Sequence, residues 1–516
     1  MTAKSDYAKV LLQVDLYDKP ATPLIHFWET VLGSDHAFML TRYDLLDQVI
    51  TVQDELGIEN LRFHGIFMDD VRPLLDIDKP DLVTARNCDW WQVDLIYDAL
   101  LARGIRPFVE LSFMPEPLAS DPNAHIFKYQ GATSPPRSWK GWELFVEEFM
   151  RHLVKRYGRN EVSEWYFEVW NEPNLKAFWS GSMEDYFRLY DHAVVAIKRI
   201  SPESKVGGPA SAHGEWVQEM IDHCKTVNFA DPNFEGKNGL KTPLDFVSYH
   251  FYPTDKPLAN LKNDHGVQYI PPDRLAEVAR RNFEIVRESG IPLEIHVTQW
   301  NSSSLLIDTL HDATNQAAFI CETVKKVRPY VTALSYWCIS DIFEEICLPG
   351  TEFSAGFGLL TRRGIPKPAY HAFRFLHQLG DEEISCKFQQ APQGINAWVT
   401  RNGSELQLCL WNYIHPLHPN PKDAEVEVEI AGMEQISPEL NLTLWRLDDD
   451  HGNVTKRWTQ LGSPANLSQE QLEHLRDVAT LVPDYASVKN KDGRLKFQVT
   501  LPQKSVMFMK IAPRVE

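Results

Sequence analysis

A carboxylate followed by proline, at the end of an aromatic and β-branched run, is the first place in this sequence where chemistry could happen. The run is Trp165-Tyr166-Phe167-Glu168-Val169-Trp170-Asn171-Glu172-Pro173-Asn174. Its composition predicts a strand. Pro173 cannot extend a sheet ladder, so Asn171 and Glu172 belong where the strand, predicted over Trp165–Glu172, gives way to a loop. A carboxyl pinned at the mouth of a buried strand can pass a proton to or from a bound substrate. A lone surface acid could look the same. Asn171 before it, Pro173 after it and Trp170 beside it favour the catalytic role for Glu172.

Splitting a glycosidic bond with retention takes a second carboxyl. The two stand roughly 5–5.5 Å apart, one protonating the leaving group while the other attacks the anomeric carbon. The place to look is Leu293-Glu294-Ile295-His296-Val297-Thr298-Gln299-Trp300, another strand pattern. Its tip carries Gln299, an amide where a carboxylate is wanted. Glu294 lies near the other end of that strand, and alternation turns it to the opposite face, so it is set aside.

The elements that must hold these groups alternate. Strands are predicted over Leu24–Val31, Asn60–Ile66, Arg106–Ser112, Trp165–Glu172, Lys205–Ala210, Asp245–His250, Pro292–Trp300 and Leu334–Ser340. Helical patterns fall between them at Tyr43–Leu56, Trp91–Arg103, Trp139–Tyr157, Met183–Ile200, Arg274–Ser289 and Asp312–Val327. Such β-then-α repetition predicts an α/β fold, a (β/α)8 TIM barrel with its site at the C-terminal strand ends. A doubly wound sheet would want a Gly-rich phosphate loop after its first strand, and none is visible.

After Leu379 the period changes to two. Ile395–Thr400, Glu405–Tyr413, Glu425–Ile430, Asn441–Leu447, Lys496–Leu501 and Val506–Ile511 alternate apolar and polar residues, with a hairpin signal at Arg401-Asn402-Gly403-Ser404. This predicts a C-terminal β-sandwich-like accessory domain. Ser468-Gln469-Glu470-Gln471 is a capping box opening a helix over Gln469–Thr480. Ala8–Leu16 also alternates and could cross over to the C-terminal sheet. The expected division is residues 1–20, an N-terminal strand segment; 21–380, the barrel; and 381–516, the accessory domain.

Composition narrows the classes. The 516 residues exceed one small core, and a net charge of -19 argues against nucleic acid and against anionic membranes. Aromatic residues at 11%, including 15 Trp, suit the apolar faces of sugar rings. The 7 cysteines, at Cys88, Cys224, Cys321, Cys338, Cys347, Cys386 and Cys409, form no Cys-x-x-Cys pair, so neither a disulfide framework nor a zinc knuckle is expected. The N-terminal residues lack the apolar run of a secretory signal, and no segment is long and apolar enough to span a bilayer. A cytoplasmic protein is expected. No His-Glu-x-x-His metal set and no Gly-x-Ser-x-Gly elbow are present, which argues against metal and serine hydrolases.

In order along the chain, several segments resemble glycoside hydrolase family 39, which includes β-xylosidases and α-L-iduronidases. They are Arg62–Asp70, Phe167–Asn174, Gly207–Ala210, Ser248–Thr254, Tyr336–Glu345 and, in the C-terminal region, Gly462-Ser463-Pro464. The resemblance implies a retaining barrel hydrolase that needs no cofactor or metal. Glu172 would be the acid/base, and Asn171 would bond the sugar 2-hydroxyl. His64, His250, Tyr252, Trp337 and Glu345 would line the subsite for the non-reducing sugar, with Phe113 a weaker candidate. The substrate implied is a xylose-containing oligosaccharide trimmed from its end, and self-association would fit the family.

Gln299 departs from that pattern, standing where the family has its nucleophilic glutamate. An amide is a poor nucleophile and offers no charge to a glycosyl cation. The chain is therefore expected to bind substrate and turn it over very slowly, whether as a substitution made to trap a complex or as a catalytically silent carbohydrate-binding relative. α-L-Iduronidase, β-glucosidase and arabinosidase activities are the alternatives within the family. A uronic acid would need a basic clamp, for which Arg62, Lys256 and Arg363 are the candidates. Removing a neighbouring carboxylate should also lower the pKa of Glu172. An NMR titration is expected to find Glu172 titrating lower in this chain than in Gln299→Glu; equal or reversed values would mean the two side chains are not neighbours.

Overall fold

The computed structural model describes residues 7–226, 239–253, 273–346, 348–415 and 421–514; Thr254, Lys256 and Cys347 lie outside them. Eight parallel strands follow one another in chain order around the barrel: Leu32–His36, Asn60–His64, Arg106–Leu111, Tyr166–Val169, Lys205–Ser211, Phe246–Phe251, Glu294–Trp300 and Ala333–Tyr336. The ring closes where the Ile339 N–H donates to the Gly33 carbonyl at 2.9 Å. Only glycine fits there, because a Cβ on Gly33 would lie 2.5 Å from the Trp337 ring.

Helices cover the outside, at Tyr43–Leu56, Trp91–Leu101, Trp139–Tyr157, Met183–Ile200, Arg274–Ser289 and Thr314–Val327, close to the predicted bounds. Val217–Thr226, Pro368–His377 and the single turn Arg159–Val162 are further barrel helices outside the predicted ones. Local chemistry sets the ends. Ser182 and Asp185 form a capping box at the start of Met183–Ile200, and Gly57 ends Tyr43–Leu56 at φ +70.

The first strand differs from the prediction. It is Leu32–His36, not Leu24–Val31. The segment before it has other partners: Thr22–Pro23 pairs with Glu382–Glu383 at the edge of an accessory sheet, and the Trp28 ring lies 5.4 Å from that of Trp398. Leu24, Phe27 and Trp28 are therefore buried as packing near the junction of barrel and accessory domain, Val31 joins a barrel cluster with Phe108 and Phe246, and Ile25 is 77% exposed. The true strand reads Leu-Gly-Ser-Asp-His, and its polar half hides it from a hydrophobicity pattern.

The accessory domain packs two sheets. One has the order Cys386–Gln389, Ala8–Asp15, Ala424–Ala431, Arg494–Leu501. The other runs Asp484–Lys489, Glu439–Leu447, Ser505–Pro513, Glu405–Asn412, Ile395–Asn402, Glu382–Glu383, Thr22–Pro23. The N-terminal strand sits inside the first sheet, parallel to Ala424–Ala431 and antiparallel to Cys386–Gln389. Period-two alternation sends Val10, Leu12 and Val14 into a core with Val426, Val428, Leu408 and Met509. The capped helix forms at Gln469–Ala479. Asn315, at the start of Thr314–Val327, exchanges two hydrogen bonds with the Ile414 backbone at 2.7 and 3.1 Å, and the Trp411 indole donates to Glu322 at 2.8 Å, holding the domains together.

If Ala8–Asp15 is an integral sandwich strand, Leu12→Ala should cost about 2–5 kcal/mol, as for other buried leucines. Gln13→Ala, on the opposite face, should stay within about 1 kcal/mol. Urea denaturation of both variants checks this; equal effects would refute it.

Candidate active site

The barrel's mouth is built on a buried ionic floor. Arg62, from the second strand, is fully enclosed. Its Nε donates to Glu168 Oε2 at 2.7 Å, and its Nη2 reaches Glu110 Oε2 at 2.7 Å and Asn171 Oδ1 at 3.0 Å. Glu110 and Glu168 face each other across paired strands in register, so both arrive at the same depth. Thr298 Oγ1 donates to Glu168 Oε1 at 2.9 Å. His64 completes the floor, with Nδ1 2.8 Å from Glu110 Oε2 and Nε2 3.6 Å from Glu345 Oε1.

Proximity decides the charges. Burial pushes the His64 pKa down, but the charge and hydrogen bond of Glu110, aided by Glu345, lift it to about 9. Burial raises Glu110, yet His64 and Arg62 outweigh it and hold the carboxyl below its ordinary value. His250 goes the other way. Burial, then the positive charges of Arg62 and His64, drive it well below the usual histidine value, so its ring is neutral.

Glu172 enters from the end of the fourth strand, which stops at Val169 rather than at the predicted Glu172. Trp170 and Glu172 adopt φ values of +73 and +46, left-handed backbone that turns the chain inward and costs on the order of 1–3 kcal/mol per residue. The turn is fixed by its surroundings: the Glu172 N–H donates to Ala210 O at 2.9 Å and the Trp170 indole to Phe178 O at 2.9 Å. Glu172 Oε1 lies 2.9 Å from His250 Nδ1. Because that ring is neutral, it can donate to a carboxylate or, as the other tautomer, accept from a carboxylic acid. The hydrogen bond to His250 can therefore be kept whether Glu172 carries a proton or not.

Gln299, the penultimate residue of the seventh strand, pairs in register with His250 just past an irregularity at Tyr249/His250. Both Gln299 and Glu172 line one cavity of about 430 Å³. His64, Tyr252, Trp337 and Glu345 line it too. Of the other residues proposed from sequence, Asn171 and His250 lie beneath the surface. Asn171 spends its carbonyl on Arg62 and leaves Nδ2 buried with no partner among the described residues. Phe113 is not in the lining. Its ring is packed behind the wall, where a Cβ on Gly131 would come within 2.5 Å of it, and meets Trp170 edge-on at 5.8 Å.

The sequence reading missed Phe127, Leu175, Phe178, Leu305, Leu306, Ile307, Ile346 and Phe357, all of which line the cavity. They sit on loops, where no periodicity marks them; the run Leu305-Leu306-Ile307 after the seventh strand was the one available signal. Arg363 points elsewhere, donating to Leu467 O at 3.2 Å beside the accessory helices. Glu294 is at the far end of its strand, bonded to Lys205 at 2.6 Å.

A buried lysine holds the loop that carries Glu345 and Phe357. Lys367 Nζ lies 2.6 Å from Asp312 Oδ1 and 3.2 Å from Asp341 Oδ2, and donates to Gly356 O at 2.8 Å. The same two carboxylates accept from the backbone N–H of Ala355 and Gly358 at 2.7 and 2.8 Å. Asp35 adds a bond from the Glu344 N–H at 2.7 Å. Among the described residues, one cluster has donor types suited to a cation: His26, Glu29 and His377. It lies outside the cavity, and both rings already bond Glu29 Oε1, at 2.7 and 3.1 Å.

A comparison with known families identifies this arrangement: the model for glycosyl hydrolases family 39 matches residues 10–496. The chain belongs to that family. It is 39% identical over 474 residues to a β-xylosidase of Caldicellulosiruptor saccharolyticus, covering 91% of this chain and 92% of that one. With a β-xylosidase of Geobacillus stearothermophilus it shares 30% identity over 490 residues, covering 94% and 92%. The crystal structure of a monomeric β-xylosidase from Caulobacter crescentus superposes with a TM-score of 0.86 at 31% identity, over 98% of this chain and 100% of that one. The family 39 chain is thus a β-xylosidase-like glycoside hydrolase, and no described helix is long and apolar enough to cross a membrane.

The floor predicts a pH dependence. His64 stands near 9 in the folded chain against an ordinary value of 6.5. Its contribution is complete below about pH 6.5 and lost as pH rises through about 9. His36 adds to it with the same sign: burial lowers it, but hydrogen bonds to Asp35 and Asp70 lift it to about 9. Urea titrations between these limits should show stability falling by several kcal/mol, on the order of 1–3 per histidine. His64→Gln should remove roughly half of that fall, and an unchanged slope would refute the assignment.

Proposed function

We propose that the cavity is the active site of a retaining exo-β-xylosidase acting on xylo-oligosaccharides, and that Gln299 occupies the nucleophile's position and leaves this chain with little activity. One observation carries the proposal. His250 is hydrogen-bonded to Glu172 and paired in register with Gln299, so two positions far apart in sequence come to one cavity. The β-xylosidases to which the chain is similar support the choice of sugar.

In the full reaction Glu172 gives its proton to the glycosidic oxygen, and the leaving group departs as an alcohol. A carboxylate at position 299 would bond to the anomeric carbon. Glu172 then takes a proton from water, whose oxygen displaces that carboxylate and restores the configuration. The buried Asn171 Nδ2, with its carbonyl fixed by Arg62, is suited to donate to the sugar 2-hydroxyl, a contact that strengthens as positive charge develops on the ring. His64, Tyr252, Trp337 and Glu345 hold the terminal xylose. Xylose has no exocyclic carbon and asks only for a close wall.

A clamp for a uronic acid finds less support. Arg62 is committed to Glu110, Glu168 and Asn171, and Arg363 faces the accessory helices. A second reading, a carbohydrate-binding protein on a hydrolase scaffold, rests on Gln299 itself.

The test is Gln299→Glu assayed on aryl β-xyloside, glucoside, arabinoside and α-L-iduronide. Xyloside hydrolysis should rise by about 10³-fold or more over the present chain, as when a covalent nucleophile is restored. The first product should be β-xylose. No gain on any substrate would favour the binding reading, a preference for another glycoside would move the specificity, and early α-xylose would overturn retention.

A further inference from the structure

The cavity is divided in a way the terminal sugar alone does not explain. Its floor is polar, with His64, Glu172, Gln299 and Glu345, while its rim, among the described residues, is mainly apolar: Leu175, Phe178, Leu305, Leu306, Ile307 and Ile346, with the Ser304 hydroxyl among them. Ile307 is 47% exposed and Ile346 65% exposed, and several apolar side chains gathered around one pocket mark a binding surface. These are not slack loops. The Leu175 N–H donates to Glu172 O and the Phe178 N–H to Leu175 O, each at 3.0 Å, so both side chains are set by the same turn that sets the acid/base. Opposite them, the Asp308 N–H donates to Leu305 O at 3.0 Å, and the Asp308 carboxylate, itself buried, caps Leu310 at 3.0 Å. Leu305, Leu306 and Ile307 are presented by a fixed turn.

The side matters. A general acid must reach the glycosidic oxygen, so the leaving group lies on the Glu172 side of the sugar. That side is where Leu175 and Phe178 stand. Leu175 and Phe178 offer a second sugar no hydrogen bond, so any hydroxyl they cover loses water without compensation. An alkyl, aryl or terpenoid group would instead bury apolar surface at about 25 cal/mol per Å².

We propose that the leaving-group subsite is built for apolar aglycones, making β-xylosides of hydrophobic alcohols and phenols a preferred substrate class over unmodified xylo-oligosaccharides. This rests on the xylosidase reading of the floor and deepens it. The chain as it stands, with Gln299, permits equilibrium binding of methyl, butyl and hexyl β-D-xylopyranoside and of xylobiose by calorimetry. Affinity should rise roughly tenfold or more from methyl to butyl, since each fully buried methylene is worth about a fourfold gain. Butyl xyloside should also bind more tightly than xylobiose. The double variant Leu175→Ser/Phe178→Ser should flatten the alkyl series, and because both side chains are only half-buried the variant should still fold. A flat series in the present chain, with xylobiose the tighter ligand, overturns the aglycone proposal and leaves the xylosidase reading standing. If methyl xyloside and xylobiose both fail to bind, the xylosidase reading falls and the proposal falls with it.

Discussion

Arg62 is the residue on which the rest of the site depends. Enclosed below the barrel mouth, it bonds Glu110 on the third strand, Glu168 on the fourth and the Asn171 carbonyl beyond it. Four charges lie in this layer once His64 is counted, two of each sign, and none of their side chains is more than 1% exposed. Taking them out of water costs several kcal/mol apiece, and hydrogen bonds must offset that. The layer is therefore poor evidence of stability and good evidence of placement. It fixes the depth of the fourth strand's end, where Glu172 turns inward. Burial lowers the His250 pKa most, and the positive charges of Arg62 and His64 in this layer add to it, keeping that ring neutral. One arginine thus bears both on where Glu172 sits and on what its partner His250 can do with a proton.

Much of this was legible in the sequence, though unevenly. Period and composition gave seven of the barrel strands near their observed places, most clearly where apolar and β-branched residues run together, as in Arg106–Leu111 and Phe246–Phe251. Leu32–His36 escaped for the opposite reason. Ser34, Asp35 and His36 are polar residues buried in a strand, and His36 and Asp35 meet tertiary partners, Asp70 and the Glu344 N–H, that no local pattern displays. The site followed the same rule. Residues at strand ends, Glu172, Gln299, His64 and Trp337, could be found because a strand end is a predictable position. The rim was invisible because Phe127, Leu175 and Ile346 lie in loops: a local turn sets Leu175, while long-range bonds set the loop that carries Ile346.

Those long-range bonds are themselves ionic. The loop that brings Glu345 and Phe357 to the cavity lacks regular structure over most of its length, so backbone ladders cannot hold it. Lys367 and its two aspartates do so instead, each aspartate also accepting a backbone N–H from the loop. Burial first raises Asp341, and Asp312 adds to that, while Lys367 opposes both; the carboxyl stands near 6. A loop pinned by charges buried behind the wall keeps a fixed shape while its outer face remains free to be apolar, as Ile346 is.

The same separation bears on position 299. The ionic layer is balanced by Arg62, His64, Glu110 and Glu168 without any contribution from residue 299, whose described neighbour in register is the neutral His250. Exchanging a carboxylate for an amide there removes a charge from the cavity surface rather than from the buried network, and the two side chains have nearly the same shape. The floor, the turn at Glu172 and the apolar rim then have no reason to rearrange. If position 299 is the nucleophile's, as proposed, what changes is the stabilisation offered to a developing glycosyl cation, which depends on charge at that point and not on the pocket's shape. On that proposal binding and turnover rest on different residues, and the exchange would spare the first while removing most of the second.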